Sequence, residues 1–146
     1  MIRPMAEADL SRAAELEKRY FSVPWSEQSL RESLAKPEYL FLVLEEAGRI
    51  VGYGGMLLIL DEGDITNIVV DEAWRGRGLG RELTEGLLEA GRKRGAHAFT
   101  LEVRVGNERA VRLYEGLGFC PEGVRKGFYD KPKEDALIMW KRETQP

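Results

Sequence analysis

The sequence predicts a mixed α/β (α+β) domain of seven strands and four helices, in the order β-α-α-β-β-β-α-β-α-β-β. Three observations carry this. Between Tyr39 and Val70 three apolar, strand-like runs follow one another across short turns, which reads as an antiparallel meander. Leu79, Leu83, Leu87 and Ala90 then recur at helical spacing. After them Phe99, Leu101 and Val103 alternate strictly with Thr100, Glu102 and Arg104, the period of a half-buried strand. At 146 residues, 43% hydrophobic and 32% charged, the chain suits one soluble domain, 1–146, with one core.

A short strand at Ile2-Arg3-Pro4 opens the chain. A helix over about Glu7 to Arg19 follows, with Leu10, Ala13, Ala14 and Leu16 roughly on one side. In Pro24-Trp25-Ser26, proline stops what precedes, Ser26 is a good N-cap, and Trp25 is placed to pack on Leu30 as a hydrophobic staple. The second helix is therefore expected from Glu27 to Ala35. Tyr39 to Leu44 is a continuous apolar strand, Ala47-Gly48-Arg49 a turn, and Ile50 to Leu60 the next strand. Gly52, Gly54 and Gly55 within it point to twist or a close backbone contact. Asp61-Glu62-Gly63 reads as a turn and Ile65 to Val70 as a strand. The helix beginning near Leu79 ends in Arg92-Lys93-Arg94, which suits its C-terminal dipole, and Gly95. Asn107 caps a short helix with Ala110, Val111, Tyr114 and Leu117 on its apolar side, and Gly118 ends it. Strands around Val124 to Phe128 and Ala136 to Lys141 complete the order.

Composition excludes several classes. Lys and Arg number 22 against 25 Asp and Glu, a net charge of −3, so no general nucleic-acid partner is expected. No apolar run reaches the roughly 20 residues that span a bilayer, and the first residues lack a signal peptide's apolar core. No membrane partner and a cytoplasmic location follow as expectations. One cysteine, Cys120, and one histidine, His97, leave no route to an internal disulfide or a Cys/His metal cluster, so no metal is expected. His97 opens a strand and reads as structural; Cys120 reads as a small buried hydrophobe. Chemistry must come from carboxylates, tyrosines and backbone.

The most informative segment is Val70-Asp71-Glu72-Ala73-Trp74-Arg75-Gly76-Arg77-Gly78-Leu79-Gly80, between a strand and a long helix. Its glycines let a ligand approach the backbone, and the unpaired first N–H groups of a helix carry partial positive charge, together an anion site that suits a pyrophosphate. It is not a P-loop, because no Gly-Lys-Ser/Thr occurs. It is not the dinucleotide fingerprint, because Arg81 and Leu83 stand where the third glycine is required.

Arg75 to Gly80 matches the R/Q-x-x-G-x-G/A signature of the GNAT acetyltransferases, and Asn107 with Leu113-Tyr114-Glu115-Gly116-Leu117-Gly118-Phe119 resembles that family's N-x-x-A-x-x-L-Y-E-x-x-G-F segment. One strand separates the two, as in the family, and the resemblance runs nearly the whole chain. Within the superfamily the chain is similar to the ribosomal-protein alanine N-acetyltransferase (RimI) group through Pro24-Trp25-Ser26, Asn67-Ile68-Val69-Val70, Leu101-Glu102-Val103-Arg104 and the stretches Gly123 to Lys126 and Glu134 to Leu137. Two departures stand out. Gly106 replaces the usual Ser before the Asn, and Phe128-Tyr129 replaces the usual pair of tyrosines, removing one substrate-side hydroxyl.

The resemblance implies a mostly antiparallel, twisted sheet splayed between its fourth and fifth strands, with acetyl-coenzyme A as co-substrate. It implies pantetheine contacts on the backbone of Ile68, Val69 and Val70, and pyrophosphate contacts on Arg75, Gly76, Arg77, Gly78, Leu79 and Gly80. It also implies cofactor contacts from Asn107 and Tyr114. Glu102 takes the position of the catalytic base and Tyr114 that of the acid, the base requiring a raised pKa or a water relay. An α-amine has a pKa near 7.7–8.0 against about 10.4 for lysine, so at neutral pH its neutral fraction is larger by about 10²-fold or more. Such a site suits a protein N-terminus, which the resemblance narrows to the N-terminal alanine of a small-subunit ribosomal protein. Glu62 and Asp64 are candidates to receive a cationic N-terminus. The alternatives are a GNAT enzyme acting on lysine or a small amine, an inactive acyl-coenzyme A-binding module, and a nucleotide-phosphate binder, the last disfavoured by the missing Lys-Ser/Thr.

Overall fold

A computed structural model describes residues 1–143. Seven strands form one sheet: β1 (Ile2–Pro4), β2 (Tyr39–Glu46), β3 (Arg49–Ile59), β4 (Glu62–Val70), β5 (Ala98–Arg104), β6 (Cys120–Tyr129) and β7 (Glu134–Arg142). Four helices pack on it: α1 (Leu10–Tyr20), α2 (Glu27–Leu34), α3 (Leu79–Lys93) and α4 (Glu108–Gly116). The strand order is β1-β2-β3-β4-β5-β7-β6. Every pairing is antiparallel except β4 with β5, so the meander and the mixed α/β architecture are as expected. The crossover through α3 makes that pair parallel.

Local chemistry sets the elements. Ser26 Oγ accepts from the Ser29 amide at 3.0 Å, the N-cap predicted for α2. Trp25 joins the core cluster that holds Leu30, and its ring meets Tyr39 and Phe41 edge-on. On one face of the sheet, Leu83 and Leu87 of α3 and Tyr114 of α4 pack with Met56, Phe99 and Leu101. On the other, Leu10 and Leu16 of α1 and Leu30 of α2 cover Phe41, Val43 and Tyr53. Leu83, Leu87, Leu10, Leu16 and Leu30 are fully buried, each contributing about 1.5–3 kcal/mol of apolar burial. The glycines of β3 give the close contact the sequence suggested: a Cβ on Gly54 would stand 2.8 Å from Leu87 Cδ1.

Three expectations need correction. The β3–β4 turn falls on Leu60 and Asp61, not on residues 61–63; Leu60 adopts φ 56°, and Glu62 and Gly63 already pair with Ile59 and Leu58. The first helix starts with a 3₁₀ turn at Glu7–Asp9 before α1 proper. Cys120 is exposed rather than buried. It lies on β6, the outermost strand beyond β7, and the adjacent Phe119 takes the core position instead.

Candidate active site

β4 and β5 pair only from Glu62/Ala98 to Asp64/Thr100 and then part. β4 continues to Val70 bonded to β3 alone, and β5 continues to Arg104 bonded to β7 alone. Their facing edges are left without strand partners. β4 also carries a bulge: Gly55 pairs with Asn67 and Met56 with Ile65, so Thr66 is the extra residue. A cavity of about 710 Å³ fills the gap. The connection between α1 and α2, β4, β5, α4 and the β6–β7 hairpin all line it.

Glu102 enters this cavity from β5 on the face of α1, opposite Leu101 and Val103, which join the core under α3. Its Oε2 is buried without a hydrogen bond and lies 3.5 Å from Arg125 Nη1. Burial raises the Glu102 pKa, Arg125 opposes the rise and Asp64 adds to it. Asp64 also lines the cavity, and burial raises its pKa against the pull of Arg125. Glu62 does not reach the cavity. Tyr114 enters from α4 on the other face, nearly buried, its ring edge-on to Phe119 at 5.9 Å. Burial, then the nearby Tyr129, push its phenol up to about 12, so it stays protonated at any working pH. Tyr129, under the Arg104 guanidinium at 4.4 Å, is pushed up to about 12 by burial and by Glu102.

The side chains of Val69 and Val70 are spent on packing: Val69 lies under α1 and α2, Val70 against Leu44, Val51 and Leu79. Ile68 lines the cavity. What these three can offer a ligand is backbone. In the loop, Gly76 and Gly78 adopt φ of 79° and 76°, the left-handed region that disfavours side chains, and α3 begins at Leu79 with its first N–H groups free of helical partners. Arg75 Nε donates to the Val70 carbonyl at 2.9 Å and its guanidinium covers Tyr20 at 4.6 Å. Arg77 covers Trp74 at 4.7 Å. Both arginine side chains are therefore held by the chain's own aromatics, and backbone amides are what the loop presents. A Cβ on Gly76 would lie 3.8 Å from Arg109 Nη2, so α4 brings a cation beside the loop. Gly80 faces Leu113 of α4, and Leu79 is buried. Asn107 lines the cavity while its Oδ1 accepts from the Ala110 amide at 3.2 Å, the N-cap of α4.

Sequence reasoning missed the buried group below the cavity. Glu17 is 1% exposed. Its Oε1 accepts from the Trp25 amide at 2.9 Å, and its Oε2 accepts from the Tyr53 hydroxyl and, at 3.1 Å, from Asn67 Nδ2. A signal existed: Leu10, Ala13 and Glu17 stand at i, i+3 and i+7, so a carboxylate occupies the apolar stripe of α1. Arg109 had no signal beyond its place after the Asn107 cap.

The cavity thus lies in an opened parallel pair beside a glycine-rich helix start, with a carboxylate on one face and a phenol on the other. The model of the Acetyltransferase (GNAT) family matches residues 10–119, and the chain belongs to that family. It is 38% identical over 140 residues, covering 95% of this chain and 93% of the relative, to a protein named putative [ribosomal protein bS18]-alanine N-acetyltransferase from Bacillus subtilis (strain 168). It is 36% identical over 140 residues, covering 94% of each chain, to the [ribosomal protein bS18]-alanine N-acetyltransferase of Escherichia coli (strain K12). A crystal structure of the ribosomal-protein-S18-alanine N-acetyltransferase from Escherichia coli superposes with a TM-score of 0.91 at 34% identity, covering 100% of this chain and 95% of that one.

Proposed function

We propose that this chain, working as a single domain in the cytoplasm, transfers the acetyl group of acetyl-coenzyme A directly to the α-amine of a protein N-terminus. The acceptor class is that named for its relatives, the N-terminal alanine of ribosomal protein bS18. The observation that carries the reading is the cavity in the β4–β5 gap, lined by Glu102 from one face and Tyr114 from the other.

The residues fit the co-substrate. Two left-handed glycines, the open start of α3 and Arg109 suit a pyrophosphate, and the unpaired edge of β4 suits the amides of a pantetheine arm. Arg75 and Arg77 hold the loop in shape while Gly76, Gly78, Leu79 and Gly80 offer backbone; Ile68, Val69 and Val70 do the same along the strand. Asn107 caps α4 through its oxygen and has its amide nitrogen left for the ligand. The acetyl thioester supplies the electrophilic carbon.

Acetyl transfer forms a C–N bond from the amine's lone pair and breaks a C–S bond with its pair going to sulfur. Glu102, its pKa raised by burial, takes the amine proton. Tyr114, kept protonated, donates a hydrogen bond to the sulfur as charge develops there. With its phenol near 12 and an ordinary thiol near 8.5, hydrogen bonding is the larger part of its help.

Thiol release from acetyl-coenzyme A tests the reading with three acceptors: an N-terminal alanine peptide, the same peptide blocked at its N-terminus with a free lysine, and a polyamine. Mass spectrometry locates the acetyl group. Turnover on the free α-amine alone is expected. Turnover only on lysine or polyamine overturns the acceptor, and thiol release with none of them overturns the activity.

A further inference from the structure

Among the described residues, three buried side-chain polar atoms lack a hydrogen-bond partner: Thr66 Oγ1, Asn67 Oδ1 and Glu102 Oε2. Folded chains pair nearly all such atoms. Here all three belong to residues lining the same cavity. Each can accept a hydrogen bond; the Thr66 hydroxyl can also donate one, whereas Asn67 Oδ1 and Glu102 Oε2 are acceptors that lack a donor.

Asn67 is held in its orientation from behind. Its side chain is on the α1 face of β4, and the residue is 6% exposed. Both oxygens of Glu17 accept, Oε1 from the Trp25 amide and Oε2 from the Tyr53 hydroxyl, and a carboxylate has only acceptors to turn toward Asn67. The amide answers with Nδ2 at 3.1 Å, which turns Oδ1 away from Glu17 and leaves it unpaired.

A neutral primary amine aimed at a thioester carbon has two N–H bonds. One proton leaves to Glu102 as the C–N bond forms. The other N–H survives and becomes the N–H of the amide product. Out of water, it needs an acceptor throughout the reaction. We infer that Asn67 Oδ1 is that acceptor, so that Asn67 selects primary over secondary α-amines, and that Glu17 is the positioning residue that keeps its amide turned the right way. This rests on the reading of the acceptor as an α-amine.

The test compares two peptides that differ by one methyl, an N-terminal alanine and an N-terminal N-methylalanine, by kcat/KM for thiol release. Inhibition constants stand in where the methylated peptide turns over too slowly. Wild type is expected to prefer the primary amine. Asn67→Leu is expected to lower the primary-amine value about tenfold, the worth of one lost hydrogen bond, while changing the methylated peptide's value less than about twofold, so the preference collapses. Asn67→Ala, which needs no extra room, reads the same ratio should the leucine variant fail to fold. Glu17→Leu is expected to erode the preference and Glu17→Gln, which keeps an acceptor toward Nδ2, to restore most of it. An equal loss on both peptides, with the preference kept, overturns the inference and leaves Asn67 a packing residue. Wild type that acetylates no α-amine overturns the functional reading and this inference together, a result seen without any variant.

Discussion

Gly54→Ala is a one-methyl test of how the sheet seats α3. The new Cβ would meet Leu87 Cδ1 at 2.8 Å and the Asn67 carbonyl at 3.2 Å. The leucine methyl lies about 0.6 Å inside an ordinary contact of roughly 3.4 Å or more, taking carbon contacts to be optimal at 3.5–4.0 Å. Leu87 is fully buried between α3 and the sheet and has nowhere to retreat. Overpacking of this kind costs about 1–3 kcal/mol. At about 2.1 cal/mol/K per residue, a 146-residue chain loses roughly 3 °C of melting temperature per kcal/mol, so a fall of about 3–9 °C is expected. Leu87→Ala alone costs about 2–5 kcal/mol through the cavity it leaves. In the double variant the methyl added at position 54 occupies part of that cavity, so the combined loss should be smaller than the sum by about 1 kcal/mol or more, as coupled neighbours show. Gly54 also pairs with Ile68, and α3 begins at the glycine loop. Displacing the helix should therefore raise KM for acetyl-coenzyme A while sparing KM for the acceptor. Thermal melts of the four proteins and initial rates at varied acetyl-coenzyme A measure both. Strict additivity, or an unchanged melting temperature for Gly54→Ala, would refute the contact as described.

Under the proposed mechanism Glu102 must be deprotonated to accept the amine proton, so it contributes to the acid limb of the pH–rate profile alongside the acceptor amine, whose ordinary pKa is near 7.7–8.0. Asp64 raises the Glu102 pKa and Arg125 lowers it, so Asp64→Asn should move the limb to lower pH and Arg125→Gln to higher pH; movement in the opposite senses would reject Glu102 as the titrating base. Glu102→Gln should lower kcat about 10²–10⁴-fold, the usual worth of a general base, with acetyl-coenzyme A binding retained by calorimetry. Gly78→Ala forces a side chain into φ 76° at about 1–2 kcal/mol and should raise KM for acetyl-coenzyme A with kcat nearly kept. Ser26→Ala removes the α2 cap at about 1 kcal/mol, a fall of roughly 3 °C in melting temperature with little effect on rate.

Element order, the meander, the glycine loop and the places of Glu102 and Tyr114 were legible in the sequence. Each is written in short-range information: alternation puts Glu102 on the face opposite Leu101 and Val103, and helical spacing puts Tyr114 with Ala110 and Leu117. Cys120 misled because its neighbours Phe119 and Pro121 look like core, yet β6 ends the sheet and its position there is set by pairing with β7 alone. The β3–β4 turn misled because Asp61-Glu62-Gly63 has turn composition, while the register with β3 draws Glu62 and Gly63 into the ladder. Only the tertiary structure decided what stands across the gap. The loop after α1 meets the β6–β7 hairpin through Ser22 Oγ, which donates to the Asp130 carbonyl at 2.9 Å across 108 residues. Glu17, Tyr53 and Asn67 converge from three elements, and the unpaired oxygens of Asn67 and Glu102 belong to residues that line one cavity. Periodicity states which face of an element is buried, because that depends on residues two apart in a strand and three or four apart in a helix. It does not state which polar group waits on the other side, because that partner is fixed only when distant strands take their register.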